Sequence, residues 1–299
     1  MERRLKTFLE VARRGSLTAA AESLHMTQPS LSKRLRLLEE EYGYPLMERG
    51  VHGAILTAAG KVLLEHAERI ETEYLRSREA VAASGGADLP LIRIGAGPLF
   101  HLRYLADALL ALHQSHPETR VELVAGLYRE TMPQLTGRTL DIVFGADEGA
   151  TITDELVFVS LTTVEQGVAL RRGHPALGCR PLTAARLHDL DWVVYGDRPE
   201  DAALVRAFFA REGLRSPRVP LVTSSFTLGL QTIARSDCAM MVPLELVGEL
   251  TVSGIVIERT DPAIAVLPAG AFLRRSTQEF SPVKALLDAV AIAARRESA

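Results

Sequence analysis

Cysteine is scarce in this sequence: Cys179 and Cys238 stand 59 positions apart, with no CxxC pair and no Cys/His cluster. That pattern excludes a disulfide framework and offers no zinc site. Cys238, in an apolar run, reads as a small core hydrophobe, and Cys179 as a loop residue. Long apolar runs are missing too. No segment reaches the roughly 18 uninterrupted apolar residues of a membrane span, and the opening MERRLKTFLEV has no apolar stretch of signal-peptide length. A cytoplasmic protein with no membrane partner is expected. Nothing resembles a nucleophile–base–acid order, a glycine-rich phosphate loop or a metal-ligand spacing, so no enzyme chemistry, cofactor or metal is expected either. One last absence is local. No Asp or Glu occurs between Glu22 and Glu39, although charged residues make up 24% of the chain.

What is present is the composition of an ordinary soluble globular protein, 47% apolar over 299 residues, enough for two or three domains. The net charge of −3 argues against a nucleic-acid binder until it is split by region. Residues 1–60 hold nine Lys/Arg against seven Asp/Glu, and the remainder holds 25 against 30. A mildly basic head therefore precedes an acidic body.

In the head, Leu5, Phe8, Leu9 and Ala12 recur at the spacing of one buried helix stripe, which Gly15 ends. Leu17, Ala20, Ala21 and Leu24 repeat it over barely two turns, with Ser16 or Thr18 available as a cap. After a short turn, Thr27 is placed to cap a third helix with Pro29 in its first turn and Leu31, Leu35 and Leu38 inward. Its other face carries Gln28, Ser30, Ser32, Lys33, Arg34 and Arg36 without an acid. Short helix, tight turn and amphipathic helix make a helix-turn-helix, whose second helix fits the major groove. Gln28 suits adenine, Ser30 and Ser32 are adaptable, and Lys33 suits guanine or phosphate. Arg34 and Arg36 suit phosphates, which position without specifying. Taken alone, the same face is also that of a solvated bundle helix.

The order of residues from Phe8 to Gly60 resembles the N-terminal winged helix-turn-helix of LysR-type transcriptional regulators. Five motifs carry the resemblance: Ser16-Leu17-Thr18-Ala19-Ala20-Ala21, Thr27-Gln28-Pro29-Ser30-Leu31-Ser32, Leu38-Glu39, Leu46-Met47-Glu48-Arg49 and Leu56-Thr57-Ala58-Ala59-Gly60. Met47 stands where the family usually has Phe, and Lys33 where Arg is usual, which loses the bidentate fork. The resemblance implies that Arg49 belongs to a wing touching phosphate or the minor groove, and that Thr57 caps the next helix beside the DNA backbone. The DNA-facing set is then Ser16, Thr18, Thr27, Gln28, Pro29, Ser30, Ser32, Lys33, Arg34, Arg36, Arg49 and Thr57.

Beyond the head, Leu63, Ala67, Ile70, Tyr74, Ser77 and Val81 alternate by four and three, a heptad seam. It packs either on a second copy or on the chain's own body. The resemblance implies an antiparallel linker-helix dimer, and two heads imply an inverted-repeat operator. SGGAD, at 84–88, reads as a flexible boundary.

From residue 89, apolar runs at Leu91, Val121, Leu140, Gly167, Trp192, Val219 and Cys238 alternate with helical patterns, which means parallel sheet. Among the helices, 100–113 is expected to turn Leu102, Leu105, Leu109 and Leu112 inward, and 281–296 carries the stripe Val283, Leu286, Leu287, Val290. The pattern resembles the family's effector domain, two α/β lobes of periplasmic-binding-protein type joined by crossovers near 162–166 and 264–268. The whole chain is thus expected to be a multidomain protein. Residues 1–60 form the DNA-binding head, 61–88 the linker helix and hinge, and 89–299 the effector domain. Lobe I covers about 89–163 and 267–299, lobe II about 164–266.

Open α/β sheets bind ligands beyond the carboxyl ends of their strands. Gly97, Pro98, Leu99 and Phe100, then Tyr128, then Thr223, Ser224, Ser225 and Phe226 occupy such places. Relatives often hold a carboxylate with a hydroxyl at the first two, and Gly97-Pro98-Leu99 and Tyr128 offer no Ser or Thr; a less polar or aromatic effector gains weight. Ser224 or Ser225 reads alternatively as a helix cap, Tyr128 and Phe100 as packing, and His101 as a surface residue. The partners expected are double-stranded operator DNA, a small-molecule effector, further copies of the chain as a dimer of dimers, and RNA polymerase as a candidate. The rival reading is a cytosolic binding protein or enzyme that uses the head only for assembly.

Overall fold

The computed structural model describes residues 2–50, 53–84, 89–149, 154–178, 181–250 and 254–296. It divides into two compact units, Met1–Ala87 and Asp88–Ala299.

In the first unit, helices α1 (Arg3–Arg14), α2 (Leu17–Ser23) and α3 (Gln28–Tyr42) precede a hairpin, β1 (Met47–Gly50) and β2 (Gly53–Leu56), and the long helix α4 (Ala58–Ser84). The apolar stripes drive the packing. Leu5, Phe8, Leu9, Leu35, Leu38, Leu46, Leu63 and Ala67 form one buried cluster, and Val11, Ala20, Ala21 and Leu31 a second. Val11, not Ala12, completes the inner stripe of α1. Gly15 ends α1 in the left-handed region, its N–H donating to Val11 O at 2.9 Å. Gly60 is required for a different reason: a Cβ there would lie 2.0 Å from Leu46 O, so only glycine lets α4 start against the hairpin.

The long helix divides its seam. Leu63 and Ala67 are buried within the head, whereas Ile70, Tyr74 and Val81 are exposed. The heptad pattern therefore serves two purposes, its first turns packing on the chain's own head. Residues 85–88 of the expected boundary lie outside the described residues.

The second unit is built on one nine-stranded sheet, ordered β4-β3-β5-β11-β6-β9-β7-β8, with β10 added on β6. The strands are β3 (Leu91–Ala96), β4 (Arg120–Ala125), β5 (Ile142–Ala146), β6 (Leu156–Arg171), β7 (Trp192–Tyr195), β8 (Leu221–Thr223), β9 (Ala239–Pro243), β10 (Ile255–Glu258) and β11 (Val266–Arg274). Parallel pairing holds for β3 with β4 and β5, and for β7 with β8 and β9. Strand β6 joins the halves. Residues up to Glu165 pair antiparallel with β11, while Gln166–Ala169 pair with β9. Two lobes thus share one long strand, and the exchange of partners falls at the expected crossovers.

Helices cover both faces: α5 (Leu105–Ser115), α6 (Tyr128–Thr136), the short α7 (Ala184–Leu187), α8 (Ala203–Arg211), α9 (Phe226–Ala234), the short α10 (Val247–Leu250) and α11 (Ser281–Arg296). Val283, Leu286, Leu287 and Val290 of α11 are buried against α5 and β6 in lobe I. The stripe expected for 100–113 is corrected. Residues Phe100–Tyr104 form a π-helical turn, with the Leu105 N–H donating to Phe100 O. The wider turn rotates the following face, so Leu102 points outward and Tyr104 and Ala108 point inward beside Leu105 and Leu112.

One buried cation braces lobe I. Arg274 donates to Leu135 O at 2.9 Å, to Leu140 O at 3.0 Å and to the Asp141 carboxylate at 3.1 Å. Asp141 in turn accepts the Arg93 N–H at 2.9 Å. A buried charge needs such complete partnering, because a lone one costs several kcal/mol, roughly 3–5 when a partner is removed.

Candidate nucleic-acid interface and effector cleft

Helix α3 begins where it should, but its cap differs from expectation. Thr27 has extended backbone angles and precedes Pro29, yet its side chain makes no cap bond; its Oγ1 donates to Ser30 Oγ at 2.9 Å. Ser16 does cap α2, accepting the Ala19 N–H at 3.4 Å, and Thr18 is exposed in the first turn. Gln28, Pro29, Ser30, Lys33 and Arg36 are exposed along α3, and Ser32 and Arg34 are half-buried. Pro29, Ser32, Lys33 and Arg36 line one side of a surface groove of about 450 Å³, with Met47, Glu48 and Ala54 of the hairpin on the other.

The head's charge is not evenly available. Arg4 pairs with Glu2 and Glu41, Arg13 with Glu71 and Arg14 with Glu10, while Arg36 lies 3.4 Å from Glu40. No ion pair involves Lys33 or Arg34 among the described residues. Lys33 and Arg34 thus leave α3 with positive charge that carboxylates do not hold.

The wing is held from two sides. Thr57 Oγ1 accepts the Gly60 N–H at 3.0 Å, capping α4, and donates to Pro45 O at 2.7 Å. Glu39 accepts the Leu46 and Met47 amides. Leu-Glu was legible as a motif; its task as a tether for the hairpin was not. Arg49 sits in β1 opposite Ala54.

In the second unit, a cavity of about 110 Å³ opens at the carboxyl ends of β3, β5 and β7, where the two lobes meet. Gly97, Pro98, Leu99, Phe100, Tyr128 and Phe226 line it. Thr223, Ser224 and Ser225 do not. The Thr223 hydroxyl accepts the Ser225 N–H at 3.0 Å, and the Ser225 hydroxyl accepts the Leu228 N–H at 3.2 Å. Two hydroxyls expected to meet a ligand are spent on capping α9, and Ser224 is exposed outside the cavity. His101 is half-buried, its Nδ1 lying 3.2 Å from Ala96 O.

Several lining residues carried no motif: Arg129, Glu148, Gln166, Tyr195 and Asp201. Glu148 and Arg129 follow strand ends, Tyr195 closes β7 and Gln166 sits where β6 changes partners, and only that placement signals them. Aromatic rings brace the walls, with Phe100 at 5.4 Å from Phe144, Tyr128 at 5.0 Å from Phe272, and Tyr195 at 5.2 Å from Phe226, edge to face. Burial raises the Tyr128 phenol above its ordinary range, aided by Asp147 and Glu148; burial and Glu130 do the same to Tyr195. Glu148 is pushed upward by burial despite Arg129 at 3.6 Å. Glu130 is raised by burial and by Asp197 and Asp201, against the Leu127 N–H that it accepts at 2.9 Å. The tight loop here depends on Gly196, where a Cβ would meet the Asp201 carboxylate at 2.2 Å.

Comparison with known proteins agrees with both halves. Residues 3–61 match the model of the bacterial regulatory helix-turn-helix protein, lysR family, and residues 86–295 that of the LysR substrate binding domain. The chain is 27% identical to the HTH-type transcriptional regulator PcaQ of Agrobacterium fabrum, over 98% of this chain and 94% of that one. It is 28% identical to the Hca operon transcriptional activator HcaR of Escherichia coli, over 81% of each. Full-length CbnR solved in complex with its target DNA superposes with a TM-score of 0.70 at 26% identity, covering 99% of this chain and 100% of that one. No helix among the described residues is long and apolar enough to cross a membrane. A winged helix-turn-helix and a cleft between two α/β lobes therefore lie in one polypeptide, and the chain belongs to the LysR family of DNA-binding transcriptional regulators.

Proposed function

We propose that this regulator works in the cytoplasm as a homo-oligomer, a dimer of dimers, which sets paired α3 helices on an inverted-repeat operator. Ligand in the interlobe cleft changes the balance between lobe arrangements and so the spacing or bend imposed on the DNA. Ligand moves that balance only by its differential affinity for the two arrangements. The observation that carries the reading is the α3 face, where Gln28, Ser30, Lys33 and Arg36 are exposed and, among the described residues, the arginine is paired only with Glu40. Gln28, Ser30, Ser32 and Lys33 read bases; Arg34, Arg36 and Arg49 hold phosphates; Ser16, Thr18, Thr27, Pro29 and Thr57 set the approach of the backbone.

The oligomer is supported by the outer part of α4, where Ile70, Tyr74 and Val81 are exposed on the seam. Isolated apolar side chains on a surface are ordinary, but three on one helical stripe have the spacing of a helix–helix contact. A DNA-bound dimer of dimers offers RNA polymerase a docking surface, and we place the polymerase among its partners.

The test is a titration of the full chain against the intergenic DNA beside its own gene, at several salt concentrations and against random duplex. Preference for the intergenic DNA, with a log–log salt slope reporting several phosphate contacts, is expected. Binding no tighter than to random duplex overturns the reading.

A further inference from the structure

At the three helix starts near the effector cleft, some of the donors that would attract an anion are already engaged from within. At the first, Pro98 has no N–H, and the Phe100 and His101 amides both donate to Gly97 O at 3.1 Å. At the second, the Leu127 N–H is taken by Glu130, a carboxylate of the chain itself, at 2.9 Å. At the third, Ser225 receives the Leu228 N–H. These internal bonds take up amides that would otherwise be open to a ligand carboxylate.

The charges that do line the cavity have the opposite bias. Glu148 and Asp201 face a single guanidinium, Arg129, which is 52% exposed and lies 3.6 Å from Glu148. Beside Asp201, oxygens of Glu130 and Asp197 approach within 4.8 Å of one another and of Asp201, and Glu130 Oε1 is buried without a hydrogen-bond partner. Tyr128 and Tyr195 add ring faces and hydroxyls, and the rest of the lining is apolar.

Resting on the assignment of this cleft as the effector site, we propose that its ligand is an aromatic or apolar molecule carrying a cationic group, such as a primary ammonium, rather than a carboxylate. The apolar body is buried among Leu99, Phe100 and Phe226. The ammonium meets Asp201 and Glu148 and the tyrosine rings, which attract cations electrostatically. Glu148, whose partner in the free protein is the half-exposed Arg129 at 3.6 Å, gains a second counter-charge when the ligand enters.

The test compares three molecules of one shape, benzylamine, benzyl alcohol and benzoate, by thermal shift and calorimetric titration of the full-length protein at millimolar concentration. Benzylamine is expected to stabilise the protein, and benzoate to leave it unchanged. Asp201→Asn keeps an oxygen for the Asp197 and Arg198 amides and is expected to weaken benzylamine about tenfold, the size of one charge contact in an interface. Arg129→Ala removes the competitor for Glu148 and is expected to tighten it, an opposite shift that loss of folding cannot imitate. Equal or stronger stabilisation by benzoate, equal shifts from all three, or no shift from benzylamine overturns the proposal. DNA titration on the same preparation separates the two readings. Operator preference with a benzoate-selective cleft sinks only this inference, while loss of operator preference sinks the functional reading whatever the cleft binds.

Discussion

Glu39, near the end of α3, accepts the backbone N–H of Leu46 at 2.8 Å and that of Met47 at 3.2 Å, so one carboxylate ties the second helix of the helix-turn-helix to the first strand of the wing. Glu39→Ala would leave two part-buried amides unpaired. Loss of about 1–3 kcal/mol from the head is expected, because removing one partner of a charged hydrogen bond costs the desolvation of the other. Denaturant unfolding of the variant measures it. Operator affinity falls in parallel, since a wing out of register cannot meet the backbone; unchanged stability and affinity would show that the tether has no role.

On α3 itself, Gln28 is exposed at the helix start and Arg34 is half-buried one and a half turns on. Gln28→Ala is expected to cost roughly 1–3 kcal/mol on the best site and little on random DNA. Arg34→Ala is expected to weaken all sequences and lower the salt slope by about 1. Equal losses on specific and random DNA in both variants would contradict this division.

Along α4, Leu63 is buried in the head while Ile70, less than two turns further, is 47% exposed. The two seam positions should therefore respond differently. Ile70→Asp is expected to dissociate the oligomer with little change in the unfolding of the head, whereas Leu63→Asp unfolds the head itself, a buried charge in place of a leucine being worth several kcal/mol. Size-exclusion chromatography and far-ultraviolet circular dichroism separate the outcomes; an oligomer unaffected by Ile70→Asp would move the interface elsewhere.

Glu130 gives a pH-dependent prediction. Burial and the neighbouring Asp197 and Asp201 raise its pKa above the ordinary carboxylate value. A raised carboxylate means that the folded chain binds this proton more tightly than the unfolded one, so the contribution of Glu130 to stability is full at low pH and is lost as pH rises through the folded pKa. Glu130→Gln keeps an acceptor for the Leu127 N–H and gains an amide donor for the adjacent carboxylates. The variant is expected to melt about 1–2 °C higher at neutral pH, with the gain vanishing below the ordinary carboxylate range. A gain independent of pH, or a loss at neutral pH, would show that the group is ionised without penalty.

Much of this molecule is determined locally. The stripe Leu31, Leu35, Leu38, the positive-φ glycine after α1, Pro29 at a helix start and the alternation of strand and helix each report a short-range constraint, and each is legible in the sequence because the residues that satisfy it are neighbours in the chain. The same holds for Ser16 and Thr57 as caps. Tertiary structure decided what required distant residues to meet: that Glu39 serves the wing, that Arg274 finds Asp141, that the α4 seam is shared between the head and an open surface, and that a π turn rotates Leu102 outward. It also decided the cleft. Thr223 and Ser225 sit at the right level of the fold but spend their hydroxyls on a helix start, whereas Glu148, Tyr195 and Asp201 reach the cavity only because β6 and β11 carry the chain between lobes. Periodicity and caps are properties of adjacent residues; a binding site is a property of strands brought together from across the chain, and its charge becomes visible only there.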